Sequence, residues 1–303
     1  MMVTSHRLDP DLVARIASLS FRSRHLIEGS LTGLHRSPHR GSSVEFAEHK
    51  EYAPGDNLRH LDWRVFAKSD KYYVKQFEEE TNLRATLIVD GSASMAYASS
   101  TARAGSKYDF AVQLVSGFAF LLLRQQDAVG LVVTRGNDIS SVPPRTRSTH
   151  LRAILDLLGR STPAGATDLA SVIRHRLESM GRRGLVLLAS DLLDQADPLP
   201  GLLAQLRRRG HDVIVFHTLD PAELTFPFDA PLLMESMEDD RRILVEPLAL
   251  RAAYQRELAA FTSKWRKWAI ESDIDYVLAD TSRSPGETLV SFLLSRDAAR
   301  GPS

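Results

Sequence analysis

The chain has 303 residues, of which 43% are hydrophobic and 25% are charged, so its composition is that of an ordinary globular protein. It contains no cysteine, which excludes disulfides, thiolate catalysis and cysteine-ligated metal centres. The 38 basic and 38 acidic residues balance, so no net charge favours nucleic acid or an anionic membrane as the main partner.

Signals for export or membrane insertion are absent from the sequence. The longest apolar stretches, such as 118–123, are far shorter than the roughly 20 residues that a spanning helix needs. Residues 1–9 lack the apolar core of a signal peptide. We therefore expect no membrane insertion and a cytoplasmic location.

The first 82 residues predict an N-terminal extension rather than a regular domain. Apolar residues at helical spacing predict a helix over 10–27. Residues 44–80 indicate short extended pieces around a turn at 53–56, where a proline and a glycine suit a change of direction. A strand is predicted over 72–77. We expect this extension to pack on the main domain.

Residues 83–303 alternate between aliphatic strands and amphipathic helices. Near-continuous aliphatic strands are typical of a parallel sheet that is covered on both faces. We predict an α/β domain with a doubly wound, mainly parallel six-stranded sheet. Its predicted strands are 85–90, 129–134, 185–190, 213–218 and 274–278, and its predicted helices are 107–124, 151–158, 168–180, 198–209, 248–271 and 287–295.

One segment, at about 224–247, interrupts this alternation. Two apolar triplets, 232–234 and 243–245, flank the polar turn 238–240, as the strands of a β-hairpin would. We predict an inserted hairpin at the edge of the sheet.

Oxygen-bearing side chains follow the first strand of the predicted sheet. Asp90, Ser92 and Ser94 come directly after the apolar run 87–89 and form the pattern D-x-S-x-S. Open parallel sheets bind ligands at the carboxyl ends of their strands. Carboxylate and hydroxyl oxygens suit a hard cation, so the pattern indicates a site for Mg²⁺ or Mn²⁺.

Two further residues extend this set. Asp191 follows the strand predicted at 185–190, and Thr167 opens the helix predicted at 168–180. If the two strands are neighbours, both carboxylates meet at one crevice. Five such ligands do not saturate an octahedral ion, which leaves room for a partner's carboxylate. The alternative is that the aspartates simply end strands while the hydroxyls cap helices.

The five residues Asp90, Ser92, Ser94, Thr167 and Asp191 resemble the metal-ion-dependent adhesion site of von Willebrand factor type A domains. The resemblance implies that both serines coordinate the cation directly, the threonine directly or through water, and the aspartates directly or through water. One residue departs from it, since Leu192 stands where many such domains have glycine. With the upstream segments 45–46, 51–56, 62–64 and 73–78, the chain is similar to the bacterial group catalogued as domain of unknown function 58.

This resemblance implies a non-enzymatic, cation-dependent adaptor. It would link a MoxR-type AAA+ ATPase to a client protein that offers an acidic side chain near the metal. A Mg²⁺-dependent phosphatase of the haloacid-dehalogenase type is a weaker hypothesis, because that chemistry needs a second acid where this chain has Ser92. A structural domain without metal is the third. We predict no catalytic residue.

Overall fold

The structure is a computed structural model that describes residues 10–16, 19, 21, 44–51, 72–79, 83–181, 183–193 and 198–298. Contacts divide the chain into two units, one comprising Met1–Ile27 and Leu83–Ser303 and the other Glu28–Asn82. The first helix therefore belongs to the larger unit. The domain boundary that the sequence suggests after residue 82 stays a prediction.

In the described residues of the smaller unit, two strands form an antiparallel pair. Strand β1 (Val44–Glu51) pairs with β2 (Tyr73–Glu79), and the register shifts between Phe46 and Glu48. The strand predicted at 72–77 is thus present. Most of the upstream signature, including 52–56 and 62–64, lies outside the described residues.

A six-stranded sheet forms the centre of the larger unit, as the sequence predicts. Its order is β10-β7-β6-β3-β4-β5, and all neighbours are parallel except β4 and β5. Strands β3 and β6 are therefore adjacent. Their bounds and those of the other strands are β3 Arg84–Val89, β4 Ala128–Arg135, β5 Asp138–Arg145, β6 Gly184–Ser190, β7 His211–Leu219 and β10 Asp275–Asp280.

The antiparallel edge strand β5 has no counterpart among the strands predicted from the sequence. Its side chains are mostly exposed, and it contains Pro143 and Pro144. Proline cannot donate a hydrogen bond to a ladder and is confined to sheet edges. An exposed edge strand with prolines lacks the apolar run by which the other strands were identified.

Helices cover both faces of the sheet. The first helix is shorter than the predicted 10–27, because it ends at Ile16 and both Leu19 and Phe21 are non-helical. The amide of Leu19 donates to the carbonyl of Ile16, which closes a tight last turn. The helices are α1 Pro10–Ile16, α2 Lys107–Arg124, α3 His150–Arg160, α4 Leu169–Ser179, α5 Leu199–Arg208, α6 Pro221–Thr225, α7 Pro247–Glu271 and α8 Pro285–Ala298.

Alternation along the strands divides the core into two layers. In β3, Leu87 lies in the core formed with α1, α2, α3 and α8, while Ile88 lies in the core formed with α4, α5 and α7. Successive side chains of a strand point to opposite faces, so a continuously aliphatic strand needs cover on both sides. This requirement places the central strands of the sheet between two helical layers, while the edge strand β5 stays exposed.

The predicted hairpin is present as a separate two-stranded sheet. Strand β8 (Leu232–Glu235) pairs antiparallel with β9 (Arg242–Val245). The turn between them is closed by an amide of Ser236 that donates to the carbonyl of Arg241. Leu233 and Leu244 face each other in register and are more than half exposed.

Candidate functional site

The predicted site residues lie at the carboxyl end of the central strands. Asp90 follows β3 and Asp191 follows β6, and the amide of Asp90 donates to the carbonyl of Ala189 at 2.9 Å. The two strands are parallel neighbours, so both carboxylates reach the same edge of the sheet. The condition that the sequence set for a shared crevice is therefore met.

Asp90 is 2% exposed and accepts hydrogen bonds on both carboxylate oxygens. Its Oδ1 accepts from the Thr167 hydroxyl at 2.8 Å and from the Ser92 amide at 3.0 Å. Its Oδ2 accepts from the Ser190 hydroxyl at 2.6 Å. Neutral donors surround this carboxylate, and none of these contacts supplies a positive charge.

Backbone hydrogen bonds bring the distant Thr167 to the D-x-S-x-S loop. The amide of Ala93 donates to the carbonyl of Gly165 at 2.8 Å, and the amide of Ala164 donates to the carbonyl of Gly91 at 2.9 Å. The hydroxyls of Ser92 and Ser94 share a hydrogen bond of 3.0 Å. Four of the predicted ligands thus form one continuous hydrogen-bonded group.

Asp191 is held differently, by a buried lysine. The ammonium of Lys107, the first residue of α2, donates to Asp191 Oδ2 at 2.8 Å and to Glu223 Oε1 at 2.6 Å. The Lys107 side chain is 0% exposed, and that of Asp191 is 1% exposed. Glu223 lies on the short helix α6, where it also accepts from the amide of Asp220. One ammonium therefore bridges two carboxylates.

Burial and neighbouring charges shift the pKa values of Asp90 and Lys107. Burial raises the pKa of Asp90, and the charge of Asp191 raises it further, although hydrogen bonds from Ser190, Ser92 and Thr167 oppose the shift. Burial alone would lower the pKa of Lys107, but the charges of Asp191 and Glu223 raise it above the usual value. Lys107 is therefore a permanent cation beside Asp191, while Asp90 carries an unfavourable negative charge.

Leu192, where adhesion-site domains often have glycine, adopts a left-handed backbone conformation. Its φ is +56°, which costs a non-glycine residue roughly 1–2 kcal/mol. The side chain is fully buried in the core, and its amide donates to the Ser190 hydroxyl at 2.9 Å. Burial of the leucine offsets the strain, so a residue with a side chain holds this left-handed position.

The oxygen atoms around Asp90 fit a hard divalent cation. Neighbouring ligands of an octahedral Mg²⁺ lie about 2.9 Å apart, given metal–oxygen distances of about 2.0–2.1 Å. The separations of 2.8 Å between Thr167 and Asp90, and of 3.0 Å between Ser92 and Ser94, are of that size. Asp191 fits less directly because Lys107 holds its Oδ2. The metal assignment of all five residues stays a prediction.

The carboxylates and imidazoles alone do not form a metal site. Among the residues that the structure describes, no group of three or more histidine, aspartate or glutamate side chains could hold an ion. A cation here would depend on the hydroxyls of Ser92, Ser94 and Thr167 as well as on Asp90. Such ligands are weaker than carboxylates, and we expect a correspondingly weak site.

Sequence reasoning missed Lys107, Glu223 and Ser190. The position of Lys107 was a usable signal. A lysine in the first turn of a helix is unfavourable next to the positive end of the helix dipole, so a lysine at the start of this mostly apolar helix indicates an acidic partner elsewhere in the fold. Glu223 is the last residue of a capping box that begins at Asp220, which is recognisable in the sequence but points only to a helix start. Ser190 had no signal beyond its place beside Asp191.

The fold is an α/β domain with a mainly parallel six-stranded sheet, and the positions of Asp90 and Asp191 agree with the resemblance to von Willebrand factor A domains that the sequence suggests. A family model described as "Protein of unknown function DUF58" matches residues 48–264, and the chain belongs to this family. An uncharacterized protein of Mycobacterium tuberculosis strain H37Rv is 28% identical over 294 residues. The match covers 95% of this chain and 87% of that relative.

Three similar solved structures have low identity. An aerotolerance-related membrane protein of Bacteroides fragilis is 19% identical with a TM-score of 0.43, over 71% of this chain and 100% of that one. The SpRpn10 VWA domain is 13% identical with a TM-score of 0.37, over 71% and 95%. A membrane spanning protein of Vibrio fischeri is 18% identical with a TM-score of 0.23, over 72% and 99%.

The cytoplasmic location expected from the sequence is contradicted by these neighbours. Two of the three solved structures come from proteins described as membrane proteins. The expectation depended on the lack of apolar segments, which says nothing about association with a membrane through other means. No helix in the described ranges combines the length and the apolarity needed to cross a bilayer.

Proposed function

We propose that this protein is a non-enzymatic, divalent-cation-dependent protein-binding adaptor. The observation that carries the proposal is a hydrogen-bonded group around the buried carboxylate of Asp90. The Thr167 hydroxyl and the Ser92 amide donate to Asp90 Oδ1, and the Ser92 and Ser94 hydroxyls share a hydrogen bond beside it. These residues would hold Mg²⁺ or Mn²⁺. A bound cation would supply an open coordination position for an acidic side chain of a partner.

The charge of the site supports a cation. The ammonium of Lys107 pairs with the carboxylates of Asp191 and Glu223, and the charge of Asp191 also acts on the carboxylate of Asp90. If all three carboxylates are ionised, two negative charges remain without compensation, and a divalent cation balances them. Lys107 also keeps Asp191 from adding its full charge to Asp90, so the loaded site need not repel an incoming carboxylate.

The surface beside the site supports a protein as the partner. A cleft of about 500 Å³ starts at Ser94 and runs between α6 and the β8–β9 hairpin. Its walls include Tyr97, Phe226, Met234 and Tyr254. A peptide segment with an acidic residue at the metal would place its neighbouring side chains along this apolar cleft.

The chemistry of the site favours binding over catalysis. Phosphoryl transfer to Asp90 would need a general acid two residues later, and Ser92 occupies that position. The Asp90 carboxylate is also buried and engaged on both oxygens. The adaptor proposal further takes a MoxR-type AAA+ ATPase and its client as partners, which rests on the family resemblance alone.

Calorimetry with MgCl2 and MnCl2 on the full chain tests the cation. We expect binding heat for the wild type and at least a tenfold loss of affinity for Asp90→Asn and for Ser94→Ala. Ser100→Ala is the matched control, since Ser100 is an exposed serine outside the site. Absence of binding in the wild type, or equal binding in Asp90→Asn, contradicts the proposal.

Co-purification tests the partner. The tagged chain is recovered from its own host in buffer with MgCl2 or with EDTA, and bound proteins are identified by mass spectrometry. We expect an AAA+ ATPase and its client in the magnesium sample and their loss with EDTA and with Asp90→Asn. The same proteins in all three samples would show that binding does not use the cation.

A further inference from the structure

A second cavity lies at the amino ends of the central strands, at the end of the sheet opposite Asp90 and Asp191. It has a volume of about 460 Å³. Arg84 begins β3, Gly184 begins β6 and His211 begins β7, and all three residues line it. This cavity shares no lining residue with the candidate cation site.

Positive charge converges on this cavity from separate parts of the fold. Arg84 comes from β3, Arg176 from the last turn of α4, and Arg183 from the segment before β6. The buried imidazole of His211 lies beside them in the lining. Among the described residues that line the cavity, none is an aspartate or a glutamate. Arg84 and Arg183 are exposed, so an anion that enters this cleft from solvent can reach their guanidinium groups.

Two of these arginines are not engaged within the protein. Arg84 and Arg183 are exposed, and within the described ranges their side chains make no hydrogen bond or ion pair with another residue. Other arginines of the domain differ, since Arg207 pairs with Asp273 and Arg251 pairs with Asp229. The guanidinium groups of Arg84 and Arg183 are therefore available to an outside ligand.

The backbone beside the cavity has an unusual conformation at Arg183 and close packing at Gly184. Arg183 has a φ of +64°, a left-handed conformation that residues with a side chain rarely adopt. Gly184 follows it, and a Cβ there would lie 2.6 Å from the carbonyl oxygen of Arg84 and 3.3 Å from Nδ1 of His211. Any other residue at 184 would crowd the wall on which Arg84 and His211 meet.

The volume and the remaining walls suit a small molecule rather than a bare ion. Ligand cavities are usually about 300–1,000 Å³ and combine apolar walls with a few polar groups. Here Val142, Pro144 and Met180 supply apolar surface, and Ser141 supplies a hydroxyl. Arginine binds phosphate through paired, charge-assisted hydrogen bonds. We propose that this cavity binds a phosphate-bearing small molecule, with the phosphate at the arginines and its body against the apolar wall.

The test uses the full chain in EDTA, so that the cation site does not contribute. Calorimetry and thermal unfolding are measured with sodium pyrophosphate and with ATP, against NaCl of equal ionic strength. We expect a rise in the unfolding temperature and saturable binding that exceed the effect of NaCl. Stronger binding of ATP than of pyrophosphate supports a ligand with an organic body, and equal binding restricts recognition to the phosphate groups.

Variants distinguish specific binding by Arg84 and Arg183 from nonspecific attraction of anions to basic residues. Arg84→Gln combined with Arg183→Gln should weaken binding at least tenfold. The matched control is Arg174→Gln, because Arg174 is an exposed arginine of α4 that does not line the cavity. Equal losses in both variants, or a shift no larger than that with NaCl, would overturn the proposal. Asp90→Asn should bind the anions like the wild type.

Discussion

The two aspartates of the candidate site are alike in sequence context and opposite in electrostatics. Asp90 and Asp191 each follow a central parallel strand, and each is almost fully buried. Asp90 is surrounded by hydroxyl and amide donors, whereas Asp191 accepts from the ammonium of Lys107. One carboxylate is therefore solvated by neutral groups and the other is neutralised by a fixed charge.

The five-residue motif treats Asp90 and Asp191 alike as metal ligands, but their different surroundings suit them to different roles. A buried carboxylate without a countercharge favours either a proton or an added cation, and the raised pKa of Asp90 reflects that. Asp191 already has a cation, so its contribution to metal binding is reduced and its contribution to folding is increased. We infer that Asp90 is the main charged ligand and that Asp191 chiefly positions the loop and Lys107.

The largest effect is expected for Lys107→Met, which removes the positive charge that pairs with Asp191. It leaves Asp191 and Glu223 buried without their partner, and breaking a buried pair in this way costs about 4 kcal/mol of unfolding free energy. Urea unfolding in EDTA measures the loss. Lys267→Met is the control, since Lys267 is an exposed lysine of α7 and should change stability by less than about 0.5 kcal/mol.

A loss below about 1 kcal/mol in Lys107→Met would contradict the role given to this lysine. It would mean that water reaches the two carboxylates or that another cation replaces the ammonium. Combining Lys107→Met with Asp191→Asn and Glu223→Gln should recover part of the stability, because no buried charge then lacks a partner.

Asparagine substitution should change stability in opposite directions at the two aspartates. In EDTA at pH 7, Asp191→Asn should lose about 3 kcal/mol, because it removes one of two partners of a buried ammonium. Asp90→Asn should gain about 1 kcal/mol, because it removes a buried charge and keeps an acceptor for Ser92 and Thr167. Both values come from urea unfolding of the full chain.

The pH dependence of this comparison follows from the raised pKa of Asp90. A carboxyl whose folded pKa is raised adds stability below its unfolded pKa of 3.8 and loses that stability as the pH rises through the folded value. The advantage of Asp90→Asn should therefore be absent near pH 3 and grow towards pH 7. An advantage that shrinks with rising pH, or a loss at pH 7, would contradict the account of Asp90.

The strands and the loop were predictable because their signals are local. Aliphatic runs identify buried parallel strands, and D-x-S-x-S is read directly from residues 90–94. The pairing of β3 with β6, which brings Asp191 to Asp90, was a conditional inference that the sheet order satisfied. The edge strand β5 was not predicted, since an edge strand needs no apolar run and tolerates its two prolines.

The countercharge was not predictable because it depends on three distant segments. Lys107 begins α2, Asp191 follows β6 and lies 84 residues later, and Glu223 lies on the short helix α6. No spacing in the sequence relates them, and only the packing of α2 against the sheet brings the ammonium there. The first helix was predicted too long for a related reason, because apolar periodicity continued past Ile16 into residues that pack without being helical.

The last expected effect is local and concerns the backbone that positions Asp90. A Cβ on Gly91 would lie 2.1 Å from the carbonyl oxygen of Thr134, so Gly91→Ala must displace the loop and should cost about 2 kcal/mol. Gly201→Ala is the matched control. Gly201 lies in α5 with no atom within 4 Å of its Cβ position, and alanine there should gain roughly 0.5–1 kcal/mol.

The substitutions Gly91→Ala and Gly201→Ala should also differ in their effect on cation binding. Gly91→Ala moves Asp90 and Ser92 away from Thr167, so it should weaken Mg²⁺ binding in calorimetry while Gly201→Ala leaves it unchanged. The amide of Gly91 donates to the Thr134 hydroxyl at 3.2 Å, which ties the loop to β4. Unaltered Mg²⁺ binding in a destabilised Gly91→Ala would mean that the hydroxyl groups need not be held in place by this close backbone contact.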